Sequence, residues 1–334
     1  MSILVLKFAL LAAAIIVAGS YLAKFADVIG ERTPLGHTLA GLVLLAMATS
    51  LPELAVDCSA AAMGVPDLAV GDLLGSSLLN LIILAALDLA FYTKGRMLSR
   101  MAAAHSLSAV MSLILTTIAL LFLQLKIDWG LRIGPGTVTI LITYALLLRL
   151  VYFDQRFAAQ QDSPATRKHA IQRNTDGDIS LRRAVIGYVI ATAVIFLVGP
   201  LLARTADELA RTTGLGQTFV GTTLVALCTS LPEMVTTMSA LRMGNVNMAV
   251  GNIFGSNSFN MTILFGVDVF YDKPLLANVS STHAITAAGV ILVTLVATAG
   301  LLYRAEKRYW LLEPDAALVL LLALGALGLV YYYG

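Results

Sequence analysis

Long apolar runs recur along the chain and are separated by short polar stretches. Each run has about twenty residues, the length that an α-helix needs to cross the hydrocarbon core of a bilayer. Ten runs are predicted, near residues 3–24, 36–63, 66–92, 103–123, 131–153, 184–206, 215–243, 245–271, 281–302 and 313–333. The pattern therefore predicts an all-α polytopic membrane protein with ten transmembrane helices.

The second half of the chain repeats the first at an offset of 180 residues. Glycines and polar residues coincide as well as leucines, so shared apolar composition does not explain the match. Examples are Gly19 with Gly199, Asp27 with Asp207, Gly75-Ser76 with Gly255-Ser256, Asn80 with Asn260, and Asp88 with Asp268. Because each half has an odd number of helices, the pattern predicts two inverted-topology five-helix repeats.

Composition supports a membrane protein that has no sizeable soluble domain. Of the 334 residues, 58% are hydrophobic and 13% are charged, whereas about a quarter of the residues of a soluble domain are charged. The net charge of +2 comes with basic residues in loops, so we expect the lipid bilayer and inorganic cations as partners, and no nucleic acid. Residues 1–24 resemble a secretory signal peptide, but their counterpart in the second half indicates a retained helix.

Basic residues concentrate in one set of alternate loops, which the positive-inside rule places in the cytoplasm. This set contains Lys24, Arg32, Lys94, Arg96, Arg100, Arg156, Arg167, Lys168, Arg173, Arg182, Arg183, Arg242, Arg304, Lys307 and Arg308. The other set has Lys126, Arg132, Arg204, Arg211 and Lys273. Both termini are then expected outside a prokaryotic cell inner membrane.

The expected divisions are a first transmembrane repeat over 1–153, a cytoplasmic linker over 154–183 and a second repeat over 184–334. The linker is the only extended polar segment of the sequence. We expect it to be solvated, with Asp178 or Ser180 capping the helix that follows.

One polar element occurs twice within the apolar runs, as Ala46-Met-Ala-Thr-Ser-Leu-Pro-Glu53 (the first copy) and Ala226-Leu-Cys-Thr-Ser-Leu-Pro-Glu233 (the second copy). An ionisable residue at membrane depth indicates a functional site. Pro52 has no N–H and crowds the carbonyl of Ala48, so a kink is expected to free carbonyls around Ala46, and Pro232 is expected to do the same near Ala226. Carbonyls, hydroxyls and a carboxylate form an all-oxygen ligand set that suits Na⁺, Ca²⁺ or Mg²⁺.

The next helix of each half adds further polar groups. Ser76 and Asn80 are four residues apart and share one helical face, and Ser256 and Asn260 repeat this spacing. Any one of these residues alone would indicate helix packing, but their duplication around an intramembrane glutamate favours an ion site. One Ca²⁺, two Na⁺ or two protons would balance Glu53 and Glu233, so the ions are expected to compete.

Two acids break the internal symmetry. Asp57 aligns with Thr237, and Asp72 aligns with Asn252. One hypothesis is an outer vestibule that concentrates cations or carries a proton. The alternative is that Asp72 caps its helix and Asp57 is paired with a neighbour.

The two Thr-Ser-Leu-Pro-Glu blocks, each followed by Gly-Ser-x-x-x-Asn, resemble the α-repeats of the Ca²⁺/cation antiporter superfamily, and most of all its sodium/calcium exchanger branch of prokaryotic type. The resemblance covers nearly the whole chain. It implies ten helices, a central site between the second and third helices of each half, sliding of the first helix of each half, and transport of Ca²⁺ and Na⁺ without a cofactor. The implied ligands are Ala46, Thr49, Ser50, Glu53, Ser76, Asn80, Ala226, Thr229, Ser230, Glu233, Ser256 and Asn260.

The sequence departs from the family pattern in ways that leave alternatives open. Ala48 and Cys228 replace a glycine that usually precedes Thr-Ser, and Asn260 stands where the sodium branch often has an Asp. The expected function is secondary antiport of Ca²⁺ against Na⁺ by alternating access. The alternatives are H⁺-coupled exchange of Ca²⁺, Mg²⁺ or another divalent ion on the same fold, and a cation channel. Enzymatic activity is not expected, because no His or Lys base lies within a helical turn of Ser50 or Ser230.

Overall fold

The structure is a computed structural model that describes residues 2–32, 46–90, 105–161, 179–242, 246–303 and 314–333. Within these ranges the chain is helical and contains no strand. The helices are α1 (Ser2–Arg32), α2 (Leu51–Ala62), α3 (Pro66–Ala90), α4 (Ser106–Leu125), α5 (Pro135–Gln161), α6 (Leu181–Thr213), α7 (Gln217–Val220), α8 (Ala226–Thr229), α9 (Leu231–Arg242), α10 (Val246–Phe270), α11 (Leu275–Asn278), α12 (His283–Tyr303) and α13 (Pro314–Tyr333).

Several helices are long and apolar enough to cross a membrane. Among the described residues these are α1, α3, α4, α5, α6, α12 and α13. The segment from α7 to α9 meets the same criterion as one bent span. The chain is therefore an integral membrane protein, although part of the predicted span 36–63 lies outside the described residues.

The internal repeat extends to the ends of the helices. Helices α2 and α9 begin and end 180 residues apart, and so do α3 and α10. The bounds of the other long helices agree at the same offset to within a few residues, except at the end of α5. Within the described residues, the long helices of the two halves thus follow the same order.

Each copy of the polar element is broken at its serine. The axis bends by 44° between Gln217–Thr229 and Leu231–Arg242, which confirms the predicted kink near Pro232. Ser50 interrupts the first copy in the same way, with φ −90° and ψ 11°. Proline explains where the new helix starts, because its missing N–H costs nothing in a first turn.

The expectation that proline frees the carbonyls of Ala46 and Ala226 is wrong. The Ser50 N–H donates to the Ala46 carbonyl at 3.1 Å, and the Ser230 N–H donates to the Ala226 carbonyl at 3.0 Å. The helix is interrupted at the serine, so the serine N–H still closes the preceding turn onto the alanine carbonyl. Each alanine carbonyl is also within hydrogen-bond distance of a threonine hydroxyl, Thr49 at 3.1 Å from Ala46 and Thr229 at 3.3 Å from Ala226.

Glycines let α3 approach the backbone that precedes the second copy. A Cβ atom on Gly71 would lie 2.8 Å from the Thr218 carbonyl oxygen, and one on Gly75 would overlap the backbone of Thr222. Thr222 lies in a turn of π-helix over Gly221–Val225, which the sequence analysis did not predict. Because no side chain fits between them, the two backbones hold the polar face of α3 against the second copy.

The long helices α1 and α6 pack along each other and cross the bent segments. Gly19 of α1 lies against Pro232, and a Cβ atom on Gly199 of α6 would lie 3.1 Å from the Cβ of Ala55. Gly19 and Gly199 are equivalent positions in the repeat. Each long helix therefore contacts, through a glycine, the bent segment of the other half.

Three connections between helices meet at one end of the bundle. The charge pattern predicts that all three lie on the outer side of the membrane. His283 Nε2 lies 2.9 Å from Asp67 Oδ1, and the Ser280 N–H donates to the same oxygen at 2.6 Å. The Lys126 ammonium donates to the Val279 carbonyl. These contacts join the start of α3, the end of α4 and the start of α12.

Helices extend into the predicted 154–183 linker from both of its ends. Helix α5 continues to Gln161, and α6 begins at Leu181. The Ser180 hydroxyl accepts a hydrogen bond from the Arg183 N–H at 3.3 Å, which confirms its predicted capping role. Asp178 lies outside the described residues.

Replacing Gly75 by Ala should lower the midpoint of thermal unfolding in detergent. The added methyl group has no space beside the Thr222 backbone, and overpacking of this kind costs about 1–3 kcal/mol. Gly325→Ala is the matched control, because nothing lies within 4 Å of a Cβ there. A Gly75→Ala protein as stable as the Gly325→Ala protein would contradict the close approach.

Candidate cation site

Hydroxyl groups from the two halves meet in symmetric pairs at the centre of the bundle. Thr49 Oγ1 and Ser256 Oγ lie 3.3 Å apart, and Thr229 Oγ1 and Ser76 Oγ also lie 3.3 Å apart. The pairs are equivalent at the 180-residue offset, and all four side chains are fully buried. Each copy of the polar element thus pairs with the Gly-Ser helix of the other half.

The glutamates lie at the same place and are incompletely paired. The Ser50 hydroxyl donates to Glu233 Oε1 at 3.3 Å. Among the described residues, Glu233 Oε2, both oxygens of Glu53 and the Ser230 hydroxyl have no hydrogen-bond partner. A buried carboxylate without a partner is costly, so this arrangement favours either a bound metal cation or a proton on the glutamates.

The asparagine side chains next to this centre differ in their hydrogen bonding. The Asn80 Nδ2 donates to Asn257 Oδ1 at 2.9 Å, and the Asn257 Nδ2 donates to the Ser77 carbonyl at 3.0 Å. Asn257 therefore ties α10 to α3, a role that sequence analysis missed although an amide beside Ser256 in an apolar helix was a signal. Asn260 is fully buried, and neither its oxygen nor its nitrogen has a partner in the described part of the chain.

Asp72 joins the central hydroxyls. Its Oδ1 accepts hydrogen bonds from Ser76 Oγ at 3.2 Å and from Thr229 Oγ1 at 3.0 Å. Asp72 lies well inside α3, which begins at Pro66. The alternative that Asp72 caps this helix is therefore wrong.

The neighbours of Asp57 are other acids. Neither of its oxygens accepts a hydrogen bond from a donor group in the described ranges. Its carboxyl group is close enough to Asp72 for the two to form a hydrogen bond when one of them is protonated, and close enough to Glu53 for the charges to interact. In the second half the equivalent residues form a neutral contact, with Asn252 Nδ2 donating to Thr237 Oγ1 at 3.1 Å. Equivalent positions therefore hold two carboxyl groups in one half and an amide–hydroxyl hydrogen bond in the other.

Another buried acid, Asp268, is fully hydrogen-bonded. It accepts from the Gly134 N–H and the Leu275 N–H, both at 2.7 Å, and from the Thr137 hydroxyl. These donors lie where two helices begin, so Asp268 is a structural residue. The contrast distinguishes it from Glu53 and Asp57, which lack such donors.

The central donors are oxygen atoms of several chemical kinds. No group of three or more His, Cys, Asp or Glu side chains is placed to hold a metal ion by itself in the described ranges. A cation at the centre would therefore draw on hydroxyl, carbonyl and amide oxygens in addition to carboxylates. Such mixed sets suit hard cations.

The fold and the polar centre define a helical membrane protein that buries carboxylate, hydroxyl and amide groups where two similar halves meet. The chain belongs to the sodium/calcium exchanger protein family, whose profile matches residues 3–153 and 183–332. The family resemblance inferred from the duplicated motif is thereby confirmed.

Individual relatives agree with this assignment. The chain is 28% identical over 317 residues to the sodium/calcium exchanger MaX1 of Methanosarcina acetivorans, covering 86% of this chain and 90% of that protein. It is 29% identical over 230 residues to the inner membrane protein YrbG of Escherichia coli, covering 68% of this chain and 67% of YrbG.

Solved structures show the same fold. A structure of the sodium-calcium exchanger NCX_Mj soaked with Na⁺ and Sr²⁺ is 21% identical, with a TM-score of 0.60 and coverage of 98% of this chain and 99% of that chain. The structure of native YfkE is 16% identical, with a TM-score of 0.67 and coverage of 97% and 92%.

Replacing Asn257 by Ala should destabilise the protein. It would leave the Asn80 amide without its partner and remove the extra hydrogen bond to the helical Ser77 carbonyl, and a buried polar group left unsatisfied costs about 1–3 kcal/mol. Thermal unfolding in detergent measures the effect. Asn278→Ala is the control, because that exposed side chain bonds only to the carbonyl of Pro274, and equal midpoints for the two variants would refute the bridging role.

Proposed function

We propose that the protein is a secondary active antiporter that exchanges Ca²⁺ for Na⁺ by alternating access at a site shared by its two halves. The observation that carries the proposal is the meeting of both copies of the polar element, with the Glu53 carboxylate unpaired and Glu233 paired through one oxygen. Family membership and the names of MaX1 and NCX_Mj support the choice of ions.

The proposed site consists of the twelve residues implied by the family resemblance. The symmetric hydroxyl pairs and the contact between Ser50 and Glu233 support the inclusion of both copies. Two carboxylates balance one Ca²⁺ or two Na⁺, so the two ions compete for the same charge. Competition for one site, with access changing only when the site is occupied, gives exchange rather than leak.

The proposed architecture has ten transmembrane helices in two inverted repeats, 1–153 and 184–334, joined by a cytoplasmic linker over 154–183. The equal helix bounds in the two halves support the repeats. The proposed location is the inner membrane of a prokaryotic cell, in line with the name of YrbG.

The contacts of α1 and α6 suggest how access could alternate. These helices pack along each other and meet the bent segments through Gly19 and Gly199. Glycine contacts leave no side-chain knob at the crossing, which lowers the barrier to sliding. We infer that α1 and α6 move together across the rest of the bundle.

Purified protein in liposomes should take up ⁴⁵Ca²⁺ when a Na⁺ gradient is imposed. Glu53→Gln and Glu233→Gln should each lower the initial rate at least about a hundredfold, because removing one charged partner from a buried site costs roughly 3 kcal/mol or more. Glu208→Gln, on the exposed face of α6, should transport normally.

The same preparation separates the alternatives. Uptake driven by a pH gradient and insensitive to Na⁺ would replace Na⁺ by H⁺ as the coupling ion, and competition by Mg²⁺ tests another divalent substrate. Flux without any counter-ion on the opposite side would indicate a channel. Normal exchange by Glu53→Gln would refute the mechanism.

The proposed cytoplasmic location of the 154–183 linker predicts that membrane-impermeant reagents cannot reach it from outside the cell. A Ser163→Cys protein in intact cells should resist a membrane-impermeant thiol reagent and react after the cells are opened. The wild-type protein, with Cys58 and Cys228 inside helices, is the control. Labelling of intact cells at position 163 would place the linker outside.

A further inference from the structure

Helices α1 and α6 enclose an apolar groove, here called the α1–α6 groove, on the surface of the bundle. Its volume is about 680 Å³, and its lining residues lie between Ala13 and Phe25 on α1 and between Gly187 and Val194 on α6. Apart from one tyrosine hydroxyl, the lining side chains are apolar. The groove lies away from the central polar residues, and the proposed exchange gives it no role.

The internal repeat shows that the contact between α1 and α6 does not require this groove. At the 180-residue offset, the small residues that line it correspond to larger ones at the opposite ends of the same two helices. The pairs are Ala14 with Val194, Ala18 with Val198, Ala191 with Leu11, and Gly187 with Lys7. Space for a further molecule is therefore present where the second half has side chains.

The groove has the length of a lipid chain in one leaflet of the membrane. Ala13 and Phe25 are twelve positions apart, which is about 18 Å along a helix, and half of the hydrocarbon core is about 15 Å thick. In the orientation that the charge pattern predicts, Ala13 lies near the middle of the membrane and Phe25 near its cytoplasmic surface. The groove thus extends from the centre of the bilayer to one interface.

Aromatic side chains mark the interfacial end of the groove. The rings of Tyr21 and Phe25 stack with their centroids 6.1 Å apart. The Phe25 ring also lies directly against Gly187, where a Cβ atom would overlap it. Aromatic residues are enriched at the level of the lipid headgroups, so the position of this pair agrees with the proposed depth of the groove.

Positive charge lies at the same end. Lys24 of α1 and Arg183 of α6 are exposed and lie within one helical turn of lining residues, and Arg182 is next to them in the sequence. The charge of these three residues exceeds that of the nearby acids of α1, Asp27 and Glu31. Basic residues at the membrane surface attract anionic lipids.

We propose that the α1–α6 groove binds an acyl chain of an anionic phospholipid of the cytoplasmic leaflet, with the phosphate beside Lys24 and Arg183. The apolar lining accommodates the chain, and the basic residues attract the headgroup. Binding of the lipid does not depend on the proposed antiport. If α1 and α6 move together as proposed above, a chain that contacts both helices moves with them.

The test of the groove uses phosphatidylglycerol that carries a photoreactive group at the end of one acyl chain, in phosphatidylcholine liposomes that contain the full-length protein. Crosslinked peptides should concentrate around Ala14 and Val194. Ala14→Phe should lose these crosslinks, because its ring fills the groove. Ala9→Phe adds the same ring at an exposed position of α1 beyond the groove and should keep them. Thermal unfolding in detergent reports whether each variant is folded.

The headgroup contact is tested by competition with unlabelled lipids. The double variant Lys24→Gln/Arg183→Gln should lose up to about thirtyfold of the preference for phosphatidylglycerol over phosphatidylcholine, because two basic residues near the surface attract an anionic lipid. Lys7→Gln/Arg204→Gln removes two exposed charges from the opposite ends of the same helices and should keep the preference. If Ala14→Phe does not fold, this comparison decides.

Three results would overturn the proposal. Crosslinks spread evenly over the lipid-facing helices would show ordinary contact with the bilayer, and unchanged labelling of Ala14→Phe would place the chain elsewhere. Oxidation of a Val17→Cys variant to a disulfide-linked dimer would place a second copy of the protein at the groove.

Discussion

The cost of burying carboxylates in hydrocarbon is the constraint on which the centre of this protein depends. An intramembrane acid must find donors, a counter-charge or a proton. Asp268 illustrates the first solution, since backbone N–H groups and a hydroxyl surround it. Glu53 illustrates the opposite case. Both of its carboxylate oxygens are buried, and neither has a hydrogen-bond partner among the residues that the structure describes. The structural acid and the acids of the proposed ion site are therefore distinguished by their hydrogen-bond donors and not by their depth in the membrane.

Local chemistry made much of the fold predictable. Apolar length fixes where helices cross the bilayer, and the missing N–H of Pro232 fixes where one of them bends, by 44°. The duplicated sequence likewise predicts equal helix bounds, and α2 with α9 shows them. The central hydroxyls were predictable as a set, because a Thr, a Ser and a Glu clustered at membrane depth indicate one common polar site. What each of them touches was not predictable, because those contacts depend on how helices cross.

The predictions that failed, and the residues that were missed, all concern contacts between helices or the exact position of a helix break. Asn257 bridges two helices, and no spacing within α10 indicates which carbonyl its amide reaches. The contact of Asp72 with Thr229 exists because Gly75 brings α3 onto the backbone around a π-helical turn, and single-sequence patterns do not report such a turn. The alanine carbonyls were expected to be free because the sequence does not show that the helix breaks only after the serine N–H has bonded to them.

The difference between the halves gains a functional meaning from the proposed inverted arrangement of the two repeats. Two identical inverted halves would present equivalent surroundings to ions arriving from either side of the membrane. A neutral pair, Asn252 with Thr237, borders the centre in one half, and two acids border it in the other. Two unit charges 4 Å apart interact by about 4 kcal/mol at an effective dielectric constant near 20, so an ionised carboxylate at that distance from a bound cation would change its affinity by orders of magnitude. The shared motif supplies the proposed exchange site, and the unshared acids would make the surroundings of that site differ between the two sides of the membrane.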